Sequence, residues 1–369
     1  MRRTALLATL IFAAAQQTAV ADEFYREDLR IAMAAAEPGG LEAMLVRPSG
    51  GGRYPLALIS HGSPHDEATR ATMSPYGLHR QAVEFARRGF AALVVMRRGY
   101  GTSGGPYAES SGPCAHRDYL KSAVTSTGDL RAAIDAMKGR TDVSTEIMIA
   151  VGVSAGGLAS VALAADPPAG LKAAVSFAGG RGSRADDDVC DEDALVGAFA
   201  TLGRTSRIPM LWIYAQNDKF FRPDLAHRMH AAFTGAGGRA ELIDAPAFDD
   251  DGHLLFSKGI RIWTPMVDGF LREQKLGTGR VATAPLPAAL PPPPRLGDKG
   301  RAGFADFLVA NPHRAFAVSP KGSFAYRGGH RSGSEAQEAA LAACAKFAPD
   351  CALYALDDEL VGKADFGSR

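Results

Sequence analysis

Five short apolar runs, at residues 56–60, 91–96, 147–153, 172–177 and 210–214, recur along the chain with helical stretches such as 78–88 and 127–138 between them. A strand that is apolar at nearly every position must be covered on both faces. A helix between two such strands brings the chain back to begin the next one in parallel. The rhythm therefore predicts an α/β architecture, a mostly parallel sheet with helices on both faces. Ahead of it, alternating segments at 29–33 and 41–46 flank Pro38-Gly39-Gly40 and predict an opening hairpin.

The third of these runs ends in Gly152-Val153-Ser154-Ala155-Gly156, followed by an alanine-rich helical stretch at 157–165. A serine hydroxyl is a poor nucleophile at neutral pH. It becomes useful when a strained strand-to-helix turn lifts it clear of the backbone, with small glycines permitting the turn and a base alongside. The chain carries an internal control in Gly101-Thr102-Ser103-Gly104-Gly105, which fits the same pattern. There Pro106, Gly112 and Pro113 prevent a following helix, so Ser103 is expected to be a loop serine.

An acyl-transfer serine needs a base, an acid to orient that base, and donors for the oxyanion. Asp218 follows the apolar run at 210–214, and His253 follows the loop Asp249-Asp250-Asp251-Gly252, which predicts Ser154, Asp218 and His253 as a set in that chain order. Asp224, after Pro223, fits a helix-capping role better, and His227 and His230 share a helical face. Ser60-His61-Gly62-Ser63-Pro64 follows the first buried run, so the backbone N–H groups of Ser63 and Ala155 are the candidate oxyanion donors. His61 sits on the wrong strand to be the base and is expected to orient its loop by hydrogen bonding. Arg97 and Arg98 close the next run, where one guanidinium is expected near the site entrance or in an ion pair beneath it, and the interruption at 179–207 is expected to shape a substrate pocket.

With 41 Lys+Arg against 40 Asp+Glu, bulk charge gives no reason to expect a nucleic-acid partner, and a small molecule is the expected substrate. Arg2 and Arg3, an apolar segment at 4–15 and Ala19-Val20-Ala21 read as an export signal over 1–21, too short to span a bilayer. A periplasmic protein is expected. Cys114, Cys190, Cys344 and Cys351 would then meet an oxidising compartment, and Cys114 with Cys190 and Cys344 with Cys351 is the simplest of the three connectivities. No metal-ligand spacing occurs. Residues 22–275 are expected to form the main domain. A Pro/Ala-rich linker spans 276–300, and a small α+β module spans 301–369, with strands near 315–318 and 324–326 and a helix at 335–346 behind a Ser332-to-Glu335 capping box.

Taken together, Gly152 to Gly156, Ser60 to Pro64, Arg98 to Gly101, Asp218 and His253 resemble the dienelactone-hydrolase-like branch of the α/β-hydrolase superfamily, over about residues 23–271. The resemblance implies a twisted eight-stranded sheet and a cofactor-free ester or lactone hydrolase working through an acyl-enzyme. Dienelactone hydrolases carry cysteine at the turn where this chain has Ser154, which points to ordinary carboxylic esters. Peptidases of related fold carry a gating domain that the N-terminal part here is too short to encode, so amide cleavage is expected to be slow. A non-catalytic envelope-binding protein on the same scaffold is the other alternative. The tail resembles small exported bacterial domains of unknown function, which implies a role in holding the enzyme at the cell envelope or in screening an edge.

Overall fold

The structure, a computed structural model, describes residues 24–277, 281–283 and 289–361. The expected export signal at 1–21 lies outside the described residues. Among them no helix is long and apolar enough to cross a membrane.

Eight strands form one sheet: β1 (Phe24–Ile31), β2 (Leu41–Pro48), β3 (Tyr54–Ser60), β4 (Ala91–Val95), β5 (Val143–Val153), β6 (Leu171–Phe177), β7 (Met210–Ala215) and β8 (Ala240–Ala245). Their spatial order is β1-β2-β4-β3-β5-β6-β7-β8. The opening hairpin pairs antiparallel, β2 meets β4 antiparallel, and every later pairing is parallel. The central strands are buried on both faces, as their unbroken apolar sequences require. Helices α1 (His79–Arg87) and α6 (Ile260–Glu273) cover one face, where Phe85 stacks on Trp263 with centroids 6.2 Å apart. Helices α2 (Tyr119–Met137), α3 (Ala155–Ala165), α4 (Glu192–Gly203) and α5 (Pro223–Gly235) cover the other. Each large apolar side chain fully buried in these layers contributes about 1.5–3 kcal/mol.

α2 starts eight residues before the stretch expected to be helical. Asp118 caps it by accepting from the Lys121 N–H at 2.8 Å, and the Ser/Thr/Gly-rich first turns had hidden its apolar face. The segment after β6 forms a two-strand hairpin, Ser183–Ala185 with Asp188–Val189, and then α4. It is tied back by a disulfide between Cys190 and Cys114, with Cα atoms 5.2 Å apart.

Beyond the sheet, α7 (Asp298–Leu308) begins inside the stretch expected to be linker, so the ordered C-terminal module starts a few residues earlier than the composition indicated. Strands β9 (Ala315–Val318), β10 (Phe324–Arg327), β11 (Ala352–Leu356) and β12 (Glu359–Leu360) form a sheet in the order β10-β9-β11-β12. Helix α8 (Gly333–Ala345) covers one face and α7 the other. Ser332 caps α8 by accepting from the Glu335 N–H at 3.2 Å. The Glu335 carboxylate reaches the Arg331 N–H, one residue before the expected partner of the box. Cys344 is bonded to Cys351.

Candidate active site

β5 delivers Ser154 at φ 55°, ψ −122°, and α3 begins at the next residue. That backbone geometry costs a non-glycine residue roughly 1–3 kcal/mol and holds the hydroxyl out of the strand. The two flanking glycines are required by contact: a Cβ on Gly152 would stand 2.0 Å from the Gly156 carbonyl oxygen, and one on Gly156 would stand 2.2 Å from that of Ser60. The loop after β3 packs directly on the turn, since a Cβ on Gly62 would lie 3.1 Å from that of Ser154. Ser63 and Ala155 both line the cavity that Ser154 opens into, which is where the two candidate oxyanion amides were expected.

Asp218 and His253 come together on the loops after β7 and β8. Nδ1 of His253 lies 3.2 and 3.1 Å from the two carboxylate oxygens of Asp218. The carboxylate is buried and also accepts from the N–H groups of Phe220 and Phe221, at 2.8 Å each. An acceptor so placed makes Nδ1 the donor and leaves the Nε2 lone pair to accept a proton. The His253 ring lies flat on Phe220, centroids 3.9 Å apart and 7° from parallel, and Phe220 in turn stacks on His65 at 4.4 Å. Phe220 and Phe221 share the cavity wall with Ser154, so all three expected residues converge on one end of the sheet.

Ser103, the control, is structural: its hydroxyl donates to the Met96 carbonyl at 2.7 Å and accepts from the Glu42 N–H at 2.9 Å. Asp224 lies in the first turn of α5, one residue inside Pro223, and does not cap the helix as expected but pairs with Arg222, while His227 pairs with Asp244 and His230 meets the Ala240 carbonyl.

His61 orients its loop. Nδ1 meets the Gly62 carbonyl at 2.6 Å, and Nε2 accepts from the Arg97 N–H at 3.1 Å, so both nitrogens are committed to the neutral ring. Burial first, then the Arg97 charge, lowers its pKa to about 3. Because the unfolded chain takes up this proton below about pH 6.5 and the native chain does not, the stability is whole above that value and is lost as pH falls towards 3. Urea denaturation at pH 7 and pH 5 is expected to differ by about 2 kcal/mol on account of His61, and His61→Gln is expected to remove that share.

Beneath the site lies a network of which sequence reasoning anticipated an arginine ion pair but neither Glu109 nor Arg181. Arg97 and Arg181 both pair with Glu109, and all three are buried. The Glu109 carboxyl is disfavoured by burial as an anion, yet Arg97 and Arg181 outweigh this and hold it well below the usual carboxylate range. Arg97 also donates to the Ser60 hydroxyl at 2.7 Å and the His61 carbonyl at 2.8 Å. Tyr100 links Glu109 to the Ser63 hydroxyl at 3.1 and 3.0 Å, and burial, then the Glu109 charge, raises its own pKa to about 12. The loop carrying the candidate oxyanion amide is thereby anchored through its side chains and carbonyls. Arg98 makes a separate pair with Asp129. Glu109 sits in a Gly/Ser/Pro-rich loop with no periodic pattern, so no local signal marked it.

The cavity holds about 200 Å³ and is lined on the loop side by Ser63, Pro64 and His65 and opposite by Gly180, Arg181 and Gly182. Among the described residues no cluster of His, Cys, Asp or Glu is arranged to hold a metal ion.

The family model for X-Pro dipeptidyl-peptidase (S15 family) matches residues 40–205, the segment from β2 to the end of α4 that contains the serine turn. The chain has the α/β-hydrolase fold. Solved structures similar to it include a Klebsiella pneumoniae protein described as a dienelactone hydrolase, 16% identical over 68% of this chain and 98% of that one, TM-score 0.47. Thermogutta terrifontis esterase 2 is 15% identical over 68% and 95%, TM-score 0.48. A Pyrococcus horikoshii acylaminoacyl peptidase is 11% identical over 72% of this chain and 43% of its own, TM-score 0.47. Among curated proteins none matches this sequence.

Proposed function

We propose that this hydrolase cleaves carboxylic esters through Ser154, His253 and Asp218. The arrangement of His253 on Asp218, with Nε2 left to accept, is the observation that carries the reading. Ser154 Oγ attacks the ester carbonyl carbon as His253 Nε2 takes its proton. The carbonyl electron pair moves onto oxygen, where the amides of Ser63 and Ala155 stabilise it. Collapse expels the alcohol, which receives the proton from His253, and leaves an acyl-serine. Water repeats the sequence and releases the acid. Asp218 holds the tautomer and stabilises the imidazolium.

The S15 match favours a second reading, removal of a dipeptide from a free N-terminus. Such a substrate presents an ammonium group, whereas three cations, Arg70, Arg117 and Arg181, line the cavity against one carboxylate, Glu67. Cation against cation argues for the ester. Hydrolysis of p-nitrophenyl acetate or butyrate is expected to exceed that of Gly-Pro p-nitroanilide by at least a hundredfold in kcat/KM, and the reverse order would transfer the assignment to the peptidase. We also propose that the protein acts outside the cytoplasm, which its N-terminal sequence and two disulfides support.

A further inference from the structure

Asp218 and His253 meet through a single nitrogen. The two carboxylate oxygens stand almost equally far from Nδ1, at 3.2 and 3.1 Å, and this contact fixes where Nδ1 sits. It does not fix the plane of the ring, because the outer side-chain torsion of histidine has a broad minimum. Nε2, the nitrogen that takes the proton, lies on the far side of the ring and travels furthest when the plane tilts. A second restraint is needed to keep it aimed at the serine hydroxyl.

The neighbouring aromatic rings supply one. Phe220 covers one face of the imidazole, with centroids 3.9 Å apart and planes 7° from parallel. Phe221 stands to the side at 5.7 Å, tilted by 59°. It is buried and closely held, since a Cβ on Gly180 would fall 2.6 Å from its ring. The N–H groups of the same two residues reach the Asp218 carboxylate at 2.8 Å each, so one dipeptide orients the acid with its amides and the base with its rings.

Phe220 borders the cavity, yet it is no platform for a substrate. Its other face carries the exposed ring of His65, 4.4 Å away and 17° from parallel, so both faces are occupied and only an edge is left for a ligand. His65 lies two residues after Ser63, on the loop with one of the candidate oxyanion amides. The column of His65, Phe220 and His253 thus spans from that loop to the base.

We propose that Phe220 is a positioning residue for His253: its ring holds the imidazole plane, and its face stabilises the imidazolium that forms when the serine gives up its proton. A cation over an aromatic face is attracted to it, whereas the neutral ring gains far less. An interaction that grows towards the transition state raises kcat and leaves KM alone. The kinetic effect rests on the ester-hydrolase reading; the orientation rests on the ring geometry alone.

Phe220→Leu tests it, because leucine removes the ring while keeping an apolar side chain and the N–H to Asp218. For p-nitrophenyl butyrate its kcat is expected to fall about fivefold to fiftyfold with KM within about twofold, while Phe220→Tyr, which restores the face, stays within about threefold of wild type. His65→Ala uncovers the outer face and is expected to give a smaller loss of kcat. A kcat within twofold of wild type in Phe220→Leu, or equal losses in Phe220→Leu and Phe220→Tyr, would overturn the proposal. So would a rise in KM at unchanged kcat, which would make Phe220 a substrate contact. Orientation is read without turnover: the ring protons of His253, identified by their absence in His253→Gln, are expected upfield in the wild-type NMR spectrum, where the Phe220 ring current shields them, and are expected to move downfield in Phe220→Leu. Should Phe220→Leu fail to fold, the wild-type spectrum and His65→Ala decide, and unshielded His253 protons overturn the proposal. Shielded protons in a protein without any esterase activity would leave the ring stack standing and sink the hydrolytic assignment.

Discussion

Ser154→Ala is expected to reduce ester turnover by about four to six orders of magnitude and to abolish covalent labelling by a fluorophosphonate. The hydroxyl is the atom that bonds to the acyl group, and neither His253 nor the oxyanion amides can supply a replacement. The activity that survives is the background from binding and charge stabilisation, roughly a thousandfold to ten-thousandfold over water. The variant is expected to retain its fold, since alanine keeps the Cβ and meets the same positive φ. Labelling of the wild type lost only in Ser154→Ala would establish the nucleophile. Labelling that persisted in the variant would place the reactive hydroxyl elsewhere, and folded wild type that never labels would return the chain to the non-catalytic envelope-binding reading.

Glu109→Gln is expected to destabilise the protein by about 3–5 kcal/mol at neutral pH, because it strands Arg97 and Arg181 as buried cations without their shared anion. A buried pair assembled whole gains little, but removing one partner leaves the full cost of burying the other. Here one removal orphans two. The sign with pH comes from the depressed Glu109 carboxyl: its contribution is complete above about pH 4.5 and is lost as pH falls below that value, so wild type and variant are expected to converge in acid. Urea unfolding of both proteins at pH 7 and pH 4 measures this. A difference under about 1 kcal/mol at pH 7 would mean that water reaches the two guanidinium groups. Because Arg97 and Tyr100 hold residues 60–63, turnover in Glu109→Gln is expected to fall as well, more in kcat than in KM.

The architecture was legible because its causes are local. Apolar runs such as Leu56 to Ser60 admit few readings once helices separate them. A Gly-x-Ser-x-Gly turn between strand and helix is distinguishable from the copy at Ser103 because alanines and leucine come after the first, and glycines and prolines after the second. Edge elements were harder. β8 reads Ala-Glu-Leu-Ile-Asp-Ala and is only half buried, so its pattern is that of a surface segment. The candidate triad residues were found from their places after late strands. Glu109, Arg181 and Phe220 owe their importance to neighbours far along the chain, as in the Arg181 pair with Glu109 across 72 residues, and no window of sequence contains that information. The disulfides were readable only because four cysteines allow so few pairings.

The C-terminal module reaches the same wall from behind. Arg331 pairs with Glu42 at 3.0 Å and with the Met73 carbonyl, the Ser74 hydroxyl donates to the Gly329 carbonyl at 2.9 Å, and Asn311 is bonded to both the Arg80 N–H and the Gly77 carbonyl. All of these but the Glu42 pair fall on residues 73–80, shortly after the stretch from Ser63 to Arg70 that borders the cavity. Glu42, buried beside β4, also accepts the Thr102 N–H at 2.8 Å. Anyone who trims the protein at its proline-rich stretch to obtain a tidy catalytic unit thus removes a brace: Glu42 loses its cation, and the lip of the cavity loses the backing that keeps it in register with the serine.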